Sequence, residues 1–160
     1  MAVPSNIPGQ LKSFTTMYWA MAAGQVILGI VSYALVSTGM FGAPDYSLAI
    51  LFQKIAVFFV PVMMATSYFL FKYRLSRLEK RMALTDKLRR YFAFILVRGA
   101  LFEVAFIYCC VAALVTRVQL FLWIAPVVFL VFLLLRPTPQ AISSDLELNP
   151  GDANKLTAGS

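Results

Sequence analysis

Apolar residues fall into four runs, at 14–38, 48–73, 92–115 and about 120–135, and nearly all the charge lies between or beyond them. A helix crosses a bilayer core with about 20 apolar residues at 1.5 Å of rise each. The first three runs reach that length, and the fourth is short, with Pro126 inside it. The pattern predicts an all-α integral membrane protein. Residues 1–136 would form a small bundle of four transmembrane helices, and 137–160 a polar cytoplasmic tail. The first run, "FTTMYWAMAAGQVILGIVSYALVST", is too long for the apolar region of a secretory signal, and only Lys12 precedes it as a basic residue.

The connections carry their own signals. "GMFGAPDYS", residues 39–47, breaks the chain with Gly39, Gly42 and Pro44. Pro61 interrupts the second run, as neighbouring helices in a membrane allow. Leu75, Leu78 and Met82 keep helical spacing, so the second helix is expected to continue beyond the oil. Thr85 is a candidate cap for the third helix, with Asp86 near its positive end. Trp123 and Arg136 stand at opposite ends of the fourth run as interface anchors. Beyond it, "TPQAISSDL" predicts a short helix capped by Thr138 with Pro139 first, and the final ten residues are expected to be disordered.

Charge then sets orientation. Lys72, Arg74, Arg77, Lys80, Arg81, Lys87, Arg89 and Arg90 lie in one connection, whereas Arg117 is the only basic residue in the two opposite ones. By the positive-inside rule the basic loop is cytoplasmic, and four spans bring both termini to the same side, as in a bacterial inner membrane protein. The loop faces anionic lipid head groups. Its basic residues, and most of the +7 net charge, are explained by topology, so nucleic acid is not an expected partner.

Composition narrows the chemistry. The chain of 160 residues is 61% hydrophobic and only 13% charged, with no histidine and two cysteines. Histidine-ligated haem, the usual zinc sites and Ser-His-Asp catalysis are therefore excluded, and no cofactor or metal is expected. Cys109 and Cys110, adjacent in an apolar run, read as packing residues rather than a redox pair. No cluster of carboxylates or Ser/Lys pair marks the membrane face, so an enzyme is not the expected class. Residues 14–73 and 92–135 share no polar pattern, which removes an inverted-repeat carrier. Ala20 and Gly24 have the small-xxx-small spacing that lets helices approach, and packing within the bundle is favoured over a dimer face.

Among the polar residues inside the apolar runs, Gln25, Lys54, Arg98 and Glu103 are the candidates for a role. Counted from the cytoplasmic start of span three, Arg98 lies about 10 Å deep and Glu103 about 18 Å, near the midplane. They are about 140° apart around the helix, so each answers to different neighbours, and Arg98 is shallow enough to snorkel. A charge at mid-span costs about 2.5–3.5 kcal/mol, and such groups nearly always face protein or water. Glu103 is therefore expected to face the bundle interior, with Gln25 and Lys54 as candidate partners, either as a neutral acid or as an ion.

"LVRGALFEVAFIYCCVAALV", residues 96–115, resembles the ion-carrying helix of rotary ATP synthase proteolipids, with an Ala-Leu-x-Glu core followed by Ile-Tyr. The resemblance implies that Glu103 carries a proton. It stops at this helix: span two, "VFFVPVMMATSYFLF", lacks the glycines that pack proteolipids into a ring, and Arg98 is a departure. Few polar positions line any path, so the expected function is an accessory, assembly or structural subunit of a larger membrane complex. The alternative is proton- or cation-coupled transport through Glu103, with the chain acting as a homo-oligomer.

Overall fold

The computed structural model describes residues 7–40, 42–78, 82 and 84–148. Five helices follow in order: α1 (Ile7–Ser37), α2 (Tyr46–Ser76), α3 (Leu84–Thr116), α4 (Leu120–Leu134) and α5 (Pro139–Asp145). No strand occurs among the described residues. Three of these helices are long and apolar enough to cross a membrane, over Gly9–Ser37, Tyr46–Ser76 and Leu84–Thr116. The fourth falls where the fourth apolar run places it and is short, as that run is. Its 15 residues extend about 22 Å, short of a hydrocarbon core of about 30 Å.

The helices outlast the oil. α1 begins at Ile7 rather than Phe14, and α3 at Leu84 rather than Phe92. Loss of apolar character marks where a helix leaves lipid, and nothing at 7–13 or 84–91 stops the backbone hydrogen bonds. Thr85 consequently sits inside the first turn of α3 instead of capping it, while Asp86 does lie in that turn. α2 continues to Ser76, past the apolar run, but Leu78 and Met82, whose spacing extends it further, lie in bends beyond its end. The tail helix forms as expected, with the Thr138 hydroxyl accepting from the Ala141 amide at 3.2 Å. The final ten residues, like Lys80 and Arg81, lie outside the described residues.

α3 is the hub. Half of its most apolar stretch is buried, against 17% for α1 and for α2. α1, α2 and α4 each pack on it, and α1 also touches α4. α1 runs parallel to α3, since Phe14 stacks on Phe92 at 4.4 Å between centroids and Gly29 lies against Phe106. α2 is antiparallel, tied by a bond from Tyr108 to the Phe52 carbonyl and from Ser67 to the Arg98 carbonyl.

At the end where α1 meets α2, Gly39 and Gly42 take positive φ angles of 65° and 89°, which allow the chain to reverse. The Asp45 carboxylate caps α2 through the Leu48 amide, and its own amide reaches the Thr116 carbonyl. Arg117 bonds the Ala43 carbonyl. At the other end Ile142 of α5 and Leu146, which caps it, bury beside Phe14, Phe71, Leu88 and Tyr91. α5 thereby fills the layer that the short α4 does not reach. Each such apolar side chain contributes about 1.5–3 kcal/mol.

Candidate functional site

The polar groups within the spans sort into those satisfied by the fold and those not. Arg98 is the most engaged. Its guanidinium donates to the Leu135 carbonyl at the end of α4 and lies 4.4 Å from the centroid of the Phe71 ring. The hydroxyl of Tyr18, a residue the sequence reading passed over, donates to the Phe132 carbonyl at 2.5 Å. The last four carbonyls of a helix have no internal donors. In α4 they end within the protein, and side chains from α1 and α3 supply donors there. Buried tyrosines and arginines opposite a short apolar run are the signal that would have pointed to them.

Glu103 is placed otherwise. It is half-buried at an edge of α3, between buried Phe102 and Phe106 and exposed Ala100, Val104 and Ile107. The interior position expected for it is not adopted. Gly99, Phe106 and Cys110 form the stripe that meets α1, and Glu103 flanks it, about 40° from its centre line. Among the described residues it makes no hydrogen bond or ion pair.

Gln25 is level with Glu103 in the parallel α1–α3 register, yet the two are not joined. Gln25 is 1% exposed, and neither Nε2 nor Oε1 has a hydrogen-bond partner. It lines an apolar groove of about 360 Å³ between α1 and α4, floored by Phe106. The buried Ser32 hydroxyl, beside Cys110, has no partner of hydrogen-bond geometry either. Phe14, Tyr18, Ala22, Gln25 and Ser32 are all buried on α1, a spacing of three and four that defines its inner face.

Lys54 is exposed on α2, and the structure does not bring it to Glu103. The Asp45–Thr116 and Ser67–Arg98 contacts bracket Lys54 and set it about 8 Å from Glu103 along the axis. Ala20 and Gly24 are also exposed, and a Cβ on Gly24 would meet nothing within 4 Å. They do not serve packing within the chain. Close approach occurs instead at Gly29 and Gly99.

The basic surface stays at the α2–α3 end. Arg74 lies over Phe94, Arg77 over Tyr73 and Lys72 over Tyr68, while Arg89 and Arg90 are exposed and Lys87 half-buried. Arg136 lies over Trp19. Cations held over aromatic rings near a membrane surface anchor a helix end. Among the described residues, no three Cys, Asp or Glu side chains come together as a metal site needs. No known protein-family model matches the chain, and no curated protein or solved structure resembles it.

Proposed function

We propose that this protein is an accessory subunit of a larger complex in a bacterial inner membrane, docked through the α1–α3 face that carries Glu103. The observation behind this reading is the contrast between two charged residues on one helix. Arg98 is consumed by a carbonyl and a ring of its own chain. Glu103, near mid-depth, is half-exposed and without an internal partner. A charge at that depth costs about 2.5–3.5 kcal/mol, which a polar group on a partner helix would offset. Exposed Ala20 and Gly24 on the adjoining helix allow such a helix to come close.

The accompanying topology has four crossings with both termini cytoplasmic. Its support is that Phe14 near the start of α1 and Ile142 in the tail share one cluster with Leu88, beside the basic connection. α4 would cross as a short span with local thinning of the bilayer. The test is purification from native membranes in mild detergent. Wild type should bring down a stoichiometric membrane partner, and Glu103→Leu should lose it. Recovery of a homo-oligomer alone would favour the second reading, proton- or cation-coupled transport, which draws on the same exposed carboxyl.

A further inference from the structure

The groove beside Gln25 has chemistry that helix packing does not explain. It extends from Gln25 to Tyr33 on α1 and from Gln119 to Phe129 on α4. Its walls are apolar, and exposed Val26, Ile30 and Trp123 form its lip, so it opens toward the bilayer. Gly29 keeps it open at the floor, because a Cβ there would come 3.2 Å from the Phe106 ring.

Besides Gln119 and Tyr33 at one end, two polar groups border this apolar surface. The first is the unpartnered amide of Gln25, with both a donor and an acceptor. The second is the Leu122 carbonyl, since Pro126 has no N–H to donate to it, and both residues line the groove. Unsatisfied amide groups in a dry setting cost enough that a ligand able to bond them gains by it.

Size then selects the occupant. A volume of about 360 Å³ runs along about 13 Å of helix. That space takes a single chain or the edge of a flat ring. An ordinary phospholipid tail would fill the width, but its ester oxygens stay near the head groups, far from Gln25 at mid-depth.

We propose that this groove binds a membrane-soluble molecule with a slender apolar body and a carbonyl or hydroxyl oxygen at its head, the chemistry of a prenylated quinone or quinol. A quinone oxygen accepts from Gln25 Nε2, and a quinol hydroxyl donates to Gln25 Oε1 or the Leu122 carbonyl. This site is separate from the Glu103 face and does not depend on the accessory role.

Trp123 reports on the groove directly, and Trp19 is the other tryptophan of the chain. The full-length Trp19→Phe protein is reconstituted in phosphatidylcholine nanodiscs and titrated with a short-tailed benzoquinone, which quenches indole fluorescence. Quenching should saturate. Gln25→Leu should raise the midpoint about tenfold, the scale of one buried hydrogen bond. Val26→Phe, which fills the groove from its exposed lip, should raise it as well. A long-chain alcohol, which does not quench, should compete in wild type and not in Gln25→Leu. Because Gln25→Leu removes an unsatisfied buried amide, it should fold, with helical content and elution unchanged. Quenching that rises linearly with quinone, or saturates with the same midpoint in Gln25→Leu, would overturn the assignment. So would quenching by brominated phosphatidylcholine alone that the benzoquinone fails to displace.

Discussion

The Arg98 guanidinium on α3 donates to the main-chain carbonyl of Leu135, the residue that closes α4. A cation from one helix thus neutralises the carbonyl end of another, where the helix dipole is negative. The pairing gives the arginine of "LVRGALFEVAF" a structural purpose, and it lets α4 stop short inside the protein.

Removing that donor should destabilise the fold measurably. A hydrogen bond from a charged group is worth about 1.5–3 kcal/mol, and a ring contact such as that with Phe71 adds about 0.5–1 kcal/mol. Arg98→Ala should therefore lose about 2–4 kcal/mol in a denaturant titration. Arg98→Lys should recover only part of it, because an ammonium lacks the planar fork. An Arg98→Ala protein as stable as wild type would remove the capping role.

The glycines offer a paired comparison. A Cβ on Gly99 would lie 3.1 Å from the Met21 methyl and 3.5 Å from the Phe132 ring, whereas one on Gly24 would meet nothing. Gly99→Leu should cost about 1–3 kcal/mol by overpacking. Gly24→Ala should be neutral or stabilise by up to about 1 kcal/mol through helix propensity. Thermal unfolding of the two variants side by side decides it, and equal effects would contradict the packing.

These two glycines also show how far the sequence could be read. Apolar run length located the three long helices, and Thr138 with Pro139 located the tail helix. Depth along a span was legible too, since Gln25 and Glu103 do lie level. Azimuth was not. Which neighbour faces each side of a helix depends on how others pack on α3, and spacing alone points Ala20, Gly24 and Glu103 inward. Arg98 escaped for a different reason: its partner is a carbonyl, which every residue has.

Acid should weaken the turn between α1 and α2. Hydrogen bonds from the Leu48 amide and the Ser47 hydroxyl hold the exposed Asp45 carboxyl below its ordinary value of 3.8. A group whose pKa is lower in the folded state stabilises above its unfolded value and loses that contribution as pH falls through the folded one. Stability should thus be level above about pH 5 and decline below pH 4 from this residue. Asp45→Asn keeps a capping oxygen and should flatten that acid slope. An unchanged slope in the variant would show that Asp45 contributes none of it.

The tail should behave as part of the fold. Tyr91 donates to the Asp145 carboxylate at 2.7 Å, and Ile142 and Leu146 are buried beneath α5. Ile142→Asp places a charge in that apolar layer and should release α5, costing at least the about 1.5–3 kcal/mol of the lost burial. Tyr91→Phe removes one hydrogen bond to a charged group, worth about 1.5–3 kcal/mol at most. Limited proteolysis within 137–148 reads the release: rapid cleavage is expected in Ile142→Asp and slow cleavage in wild type. Equal rates in both would mean that α5 is not held by this layer.

Glu103 should separate folding from assembly. A residue that serves its own chain loses stability when removed, whereas one that serves a partner does not. Glu103 is half-exposed near mid-depth and bonds nothing among the described residues. Glu103→Leu removes a polar group from lipid and should stabilise the isolated chain in nanodiscs, by up to about 2.5–3.5 kcal/mol if the carboxyl is charged there. Glu103→Gln keeps a polar end in the lipid and should have a smaller effect than Glu103→Leu. The same Glu103→Leu protein should fail to recover its partner from native membranes. Stability and capture therefore move in opposite directions, which a misfolded variant cannot reproduce. If Glu103→Leu instead unfolds more easily than wild type, the carboxyl belongs to the internal packing, and the docking face must lie elsewhere.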